Sequence, residues 1–271
     1  MSVRNLFRRS SFLARVNRRV RNALSGPGWG AFHHDATYQK LMIDLIGALN
    51  PSSFVETGTF RGYSTELIAV KYPQLPIFTC EVVKASYQLA SAALKRYPNV
   101  KSYLGTSDEW IGGLLDQKQL GDFPIFFLDA HWQHYWPLRA ELERIGKSGI
   151  KSVIVIDDFE IPGQEQFGFD IDGGGELTAG LKCNLVYIAP SLAPSARYQA
   201  IFPKYSHQDA FGEAKEGLLR GHIVLFQNAP DAYETFIARP FCTSYYFGHG
   251  DLQPAIESGP SKQDTRRDIV K

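Results

Sequence analysis

Short β-rich runs and helical stretches alternate along almost the whole of this chain. Apolar and β-branched runs stand at Ser53 to Glu56, Ile77 to Glu81, Val100 to Leu104, Ile125 to Asp129, Val153 to Asp157 and Leu185 to Ala189, with a further one near His222 to Gln227. Apolar spacing predicts a first helix over Tyr38 to Leu49, stopped by Asn50-Pro51, and then helices at Thr65 to Tyr72, Ser86 to Tyr97, Trp110 to Leu115 and Trp136 to Lys147. Strands separated by helices join through crossovers and therefore lie parallel. Near-continuous apolar runs, rather than an alternation with polar residues, mean that both sheet faces are covered. The expectation is an α/β fold: a doubly wound, mostly parallel, Rossmann-like sheet with helices on both faces.

At 271 residues the chain has room for one large α/β domain or two small ones. Its longest apolar stretches, Ile125 to Leu128 and Val153 to Ile156, fall far short of the ~20 residues needed to span a bilayer. Cys80, Cys183 and Cys242 are far apart and form no CxxC, so neither a disulfide framework nor a zinc knuckle is indicated, and a reducing cytoplasm fits best. No internal repeat is visible.

A formal charge of +1 hides an asymmetry. Residues 1–34 hold seven arginines and no acidic residue, so all 28 acidic residues lie beyond them and the remainder is net negative. Nucleic acid is therefore not an expected partner of the body. On a helical wheel Leu6, Phe12, Leu13, Val16, Val20 and Leu24 share one face with most arginines opposite, and Ser25-Gly26-Pro27-Gly28 ends the pattern. Four readings of this basic amphipathic extension stand open: a solvated or loosely docked segment, one that docks on an anionic membrane surface and makes a cytoplasmic protein peripheral to it, an organelle-targeting presequence, or a nucleic-acid contact. The expected organisation is an extension over 1–34, one domain over 35–250 and a polar tail over 251–271.

The most informative stretch is Phe54-Val55-Glu56-Thr57-Gly58-Thr59-Phe60-Arg61-Gly62, a strand running into a glycine-bearing turn and then a helix. GxGxxG fails here; the pattern is E-x-G-x-x-x-G. A carboxylate at the end of the first strand would repel a pyrophosphate but suits an ammonium group, which points away from a dinucleotide. Glu81 closes the next β-run, where a carboxylate can accept both hydroxyls of a ribose. The Gly105-Thr106-Ser107-Asp108-Glu109-Trp110 loop after the third is suited to flank an adenine ring. Together these segments resemble class I S-adenosylmethionine-dependent methyltransferases, over about Tyr38 to Gly248. That resemblance implies a methyltransferase sheet and S-adenosylmethionine as cofactor, held by Glu56, Gly58, Thr59, Gly62, Glu81, Ser107, Asp108 and Asp129.

Two later strand ends carry acids, in Phe126-Phe127-Leu128-Asp129-Ala130-His131-Trp132 and Val155-Ile156-Asp157-Asp158-Phe159. Carboxylates at the carboxyl ends of parallel strands stand where an open α/β sheet binds its ligands, and hard oxygen donors suit Mg²⁺. Asp129, Asp157 and Asp158 resemble the metal ligands of cation-dependent O-methyltransferases of the catechol and the antibiotic- and sugar-modifying types. In the catechol type the last ligand is Asn and a Lys follows the Trp; here those places hold Asp158 and Gln133, which leaves His131 or His134 for a base. Trp132, Tyr135 and Trp136 either line an acceptor pocket or pack in the core. The glycine-rich Phe167 to Gly175 stretch reads as a long loop, either a substrate lid or plain surface.

These expectations converge on a methyltransferase that moves a methyl group to a hydroxyl oxygen of a small molecule, sugar or glycan with help from a divalent cation. The alternative is a non-catalytic S-adenosylmethionine-binding regulatory protein. Oligomeric state stays open, with a homo-oligomer among the alternatives.

Overall fold

In a computed structural model, residues 30–131, 136–171, 180–214, 217–237 and 242–247 are described. Within them runs one sheet of eight strands: β1 Ser53–Thr57, β2 Ile77–Glu81, β3 Val100–Leu104, β4 Pro124–Leu128, β5 Ser152–Ile156, β6 Tyr198–Pro203, β7 Ile223–Gln227 and β8 Cys242–Phe247. Their order is β3-β2-β1-β4-β5-β7-β6-β8. The first five pair in parallel, while β7 runs antiparallel to β5 and β6, and β8 antiparallel to β6. The chain steps outward from β1 to β3, returns to the other side of β1 with β4, and steps outward again. That reversal opens a crevice beyond the carboxyl ends of β1 and β4.

Successive strand residues face opposite sides, so the sheet has two cores. On one side Phe54, Ile125, Phe127, Val153 and Val155 pack with Tyr38, Leu45 and Ile46 of helix α1, Ala36–Leu49. On the other, Val55, Phe126, Leu128 and Ile154 pack with Leu142 and Ile145 of the helix Leu138–Ser148. β1, β2, β4, β5 and β7 are buried throughout, as their apolar runs require, whereas the edge strand β3 is largely exposed.

Two expectations need correction. The β-rich run at Leu185 to Ala189 forms a short helix, Leu185–Ile188, because the Asn184 side chain caps it by accepting from the Tyr187 N–H. Val186 points into solvent there at 74% exposure, which a strand covered on both faces does not allow. The sheet positions are filled instead by β6, which the sequence reading missed, and β7. The body of the fold also begins before residue 35. Phe32, only 1% exposed, packs its ring 5.2 Å from Tyr38 and 5.1 Å from Phe127. Asp35 caps α1 by accepting from the Tyr38 N–H at 2.8 Å, and also accepts the Tyr205 hydroxyl at 2.7 Å.

The arginine-rich segment over 1–24 and the tail over 251–271 lie outside the described residues, as does His134. Among the described residues no helix is long and apolar enough to cross a membrane.

Candidate active site

A cavity of about 910 Å³ occupies the crevice at the carboxyl ends of the parallel strands. At one end the turn after β1 forms its floor. Gly58 has φ +80°, and a Cβ there would stand 2.3 Å from the Asp129 carbonyl oxygen, so neither the backbone nor the space admits a side chain. The Gly58 and Thr59 N–H groups donate to the Cys80 carbonyl, tying the turn to the end of β2. Glu81 is fixed from two loops: Oε2 accepts the Phe60 N–H at 2.7 Å and Oε1 the Val83 N–H at 2.8 Å. Each oxygen keeps a second lone pair for another donor.

Glu56, 2% exposed, accepts the hydroxyls of Thr79, at 2.7 Å, and of Thr65. Burial pushes its carboxyl up to about 7 against the pull of those hydroxyls. An ammonium group alongside would restore the ionised form.

Of the residues expected at the cofactor, Glu56, Gly58, Thr59, Glu81, Ser107 and Asp129 line this cavity. Gly62 and Asp108 do not. Gly62 sits at φ +75° before the helix Tyr63–Lys71, where its lack of a side chain lets Leu94 and Ala90 approach. Asp108 lies inside the first turn of the helix Ser107–Asp116, which starts earlier than the spacing of Trp110 to Leu115 suggests. Beneath the cavity Glu141 is fully buried, and burial pushes it up to about 7 although the Ser107 and Thr57 hydroxyls pull the other way. Neither Glu141 oxygen, nor either of those hydroxyls, reaches a hydrogen bond of ordinary geometry.

Asp129, Asp157 and Asp158 meet at the other end, where β4 and β5 finish. Their donor atoms form two compact trios that share Asp158, and each trio includes a histidine: Asp129–His131–Asp158 and His33–Asp157–Asp158. His131, half exposed on the cavity wall, stands 3.8 Å from Asp129, 3.6 Å from Asp158 and 3.4 Å from Asp170. Contact with Asp158 raises its pKa despite burial, with Asp170 adding to the effect. Burial and the neighbouring charges of Asp157 and Asp158 push Asp129 well up, whereas His131 and Arg220 hold the buried Asp158 well down. Asp157, 5% exposed, has its Oδ1 without any partner. Oxygen donors at a strand end, one of them orphaned and one destabilised by its neighbours, fit a divalent cation.

Three participants escaped the sequence reading. Arg220 donates to both Asp158 and Asp170 and clamps the loop after β5 to the residues before β7. Asp170 comes from the stretch read as either a substrate lid or plain surface, yet Phe167 there is buried and Gly168 bridges Arg220. His33 comes from the segment assigned to the extension; its Nε2 lies 2.9 Å from Asp157 Oδ2. Burial alone would lower the His33 pKa, but Asp157 raises it to about 9. No periodicity or motif marks these three; only their proximity in space does. Trp136 does not line the large cavity but stacks on Tyr187 at 4.7 Å, while Trp132 and Tyr135 lie outside the described residues.

Residues 13–161 match the model of a family described as O-methyltransferase. Catechol O-methyltransferase B of Danio rerio is 30% identical over 130 residues, 45% of this chain and 48% of that protein, so the match spans about half of the relative's length. Among solved structures, a cofactor-bound protein from MTB, Rv0187, aligns with TM-score 0.50 and 18% identity over 80% of this chain and 90% of its own. An O-methyltransferase from Bacillus cereus in complex with SAH aligns with TM-score 0.50 and 18% identity over 79% and 88%. At such identities the two structures testify to the fold alone. The family match, over more than half of the residues, settles kinship: the chain belongs to the O-methyltransferase family of class I S-adenosylmethionine-dependent enzymes.

Proposed function

We propose that this protein transfers the methyl group of S-adenosylmethionine to a hydroxyl oxygen of a small molecule or sugar, with a divalent cation held by Asp129, Asp157 and Asp158. The observation that carries this reading is the continuity of one cavity from Glu56, Glu81 and Ser107 to Asp129, His131 and Asp158. The first group offers a carboxylate for an ammonium and another for ribose hydroxyls; the second offers hard oxygen donors. Methyl transfer needs in-line approach of oxygen to the sulfonium carbon, so the protein contributes chiefly positioning and electrostatics. A divalent cation on the acids would lower the acceptor hydroxyl's pKa. His131, on the cavity wall 3.6 Å from Asp158 and 3.4 Å from Asp170, is the side chain placed to take the acceptor's proton in this reading.

The test is release of S-adenosylhomocysteine from S-adenosylmethionine against a panel of phenolic, sugar and polyketide hydroxyl acceptors, with Mg²⁺ and with chelator. Acceptor-dependent release that chelation abolishes and Mg²⁺ restores is expected. Release unaffected by chelator would remove the cation from this reading. Cofactor binding without release on any acceptor would favour the non-catalytic alternative.

A further inference from the structure

The turn Ala31–His34 has an unusual backbone. Phe32, His33 and His34 stand in succession at φ 47°, 57° and 61°, a left-handed run that non-glycine residues rarely adopt and that concentrates at functional sites. It is held from both flanks. The Phe32 ring is in the core and its N–H donates to Ser64 Oγ at 3.3 Å, while Asp35 caps α1 and binds Tyr205. Between these anchors the His33 side chain points to the acid centre and also lines the large cavity, as does Gly30.

His33 Nε2 shares a hydrogen bond of 2.9 Å with Asp157 Oδ2, and it stands 3.6 Å from Asp158 Oδ1; a cation would have to replace the shared proton. Neighbouring ligands of an octahedral ion at about 2.1 Å are separated by about 3.0 Å, so the first spacing already suits two donors to one ion. Asp157 keeps its buried Oδ1 unpartnered, and the residue borders a small void with Asp129, His131, Asp158 and Asp170. Asp158 Oδ1 accepts from Arg220 and retains a second lone pair.

From this geometry we propose that His33 is a nitrogen ligand of the cation centre, completing it with Asp157 and Asp158, and that the centre takes a first-row transition dication such as Mn²⁺ in preference to Mg²⁺. The inference rests on the cation reading above and goes further by naming a ligand and a metal class. Imidazole suits transition dications, whereas Mg²⁺ favours oxygen and gives up its water reluctantly. The N-terminal turn would then close the metal centre and wall the cavity with one residue.

The experiment uses the full chain stripped of metal, titrated with Mn²⁺ by electron paramagnetic resonance, with Mg²⁺ in competition and electron spin echo modulation to detect bound nitrogen. Wild type and His131→Ala should both bind Mn²⁺ with imidazole nitrogen coupling, and the His33→Ala, His131→Ala double variant should lack it. His33→Ala should lose at least about 10-fold in Mn²⁺ affinity while Mg²⁺ affinity changes less than about 3-fold. Calorimetric binding of S-adenosylhomocysteine reports whether a variant is folded. If His33→Ala fails that check, nitrogen coupling in His131→Ala decides alone. Mn²⁺ bound to His131→Ala without nitrogen coupling, or held by folded His33→Ala as by wild type, overturns the proposal and leaves a carboxylate-only centre standing. Failure of the wild type to bind either metal overturns the cation reading and this proposal together.

Discussion

Glu56 offers the sharpest test of how the cofactor is recognised. Burial pushes its carboxyl to about 7, so at pH 5.5 it is almost wholly neutral and at pH 7.0 about half ionised. A cofactor ammonium beside it favours the carboxylate and returns the pKa toward the ordinary 4.5 or so. Binding below pH 7 must then expel a proton: about 0.9 per site at pH 6. Linkage makes affinity fall roughly 15-fold from pH 7.0 to 5.5. Over that range the cofactor's amino group, with an ordinary pKa of about 7.7 to 8.0, stays charged. Calorimetry of S-adenosylhomocysteine binding in buffers of different ionisation enthalpy measures both quantities. Glu56→Gln should bind more weakly at pH 7 and lose most of the pH dependence, which isolates Glu56 from the histidines nearby. Equal affinity within about 2-fold at the two pH values, with no buffer-dependent enthalpy, would refute the reasoning: Glu56 would then be ionised throughout or would not face the ammonium.

Glu141, raised from 4.5 to about 7 by burial, favours folding while neutral; that contribution is complete below about pH 4.5 and is lost as pH rises through 7. Urea denaturation should therefore find Glu141→Gln close to wild type near pH 5 and more stable by about 3 kcal/mol above pH 8, and an equal difference at both would count against a buried neutral acid. Gly58→Ala puts a Cβ 2.3 Å from the Asp129 carbonyl at positive φ; it should cost at least about 1 to 3 kcal/mol and weaken cofactor binding, whereas an unchanged melting temperature and affinity would show the turn to be pliable. Phe32→Ala should cost about 3 to 5 kcal/mol, and a chain shortened past residue 34, which also loses the contacts of Ala31 and His33, should lose at least as much; a loss below about 1 kcal/mol would return this turn to the extension.

Strand periodicity was legible because burial on both faces forces it: the runs at β4 and β5 are almost wholly apolar, those at β1 and β2 are apolar but for a few buried polar residues, and each ends in or beside an acid that the parallel topology carries to one edge. Glu56, Gly58, Glu81 and Asp129 could be read because strand-to-turn geometry leaves a local mark, a carboxylate or a glycine at a fixed offset. The second half was harder. β6 reads weakly because Gln199 breaks its apolar run and Pro203 ends it, and Leu185–Ile188 has strand-like residues in a helix that the Asn184 side chain caps. His33, Asp170 and Arg220 are 137 and 50 positions apart along the sequence, and nothing local distinguishes them from any surface histidine, aspartate or arginine. They meet Asp157 and Asp158 only because the sheet reverses between β1 and β4 and β7 runs back beside β5. Local chemistry thus determined which residues end the strands, whereas the charges surrounding the acids were decided by tertiary structure, since electrostatic partners are chosen by distance in space and not along the chain.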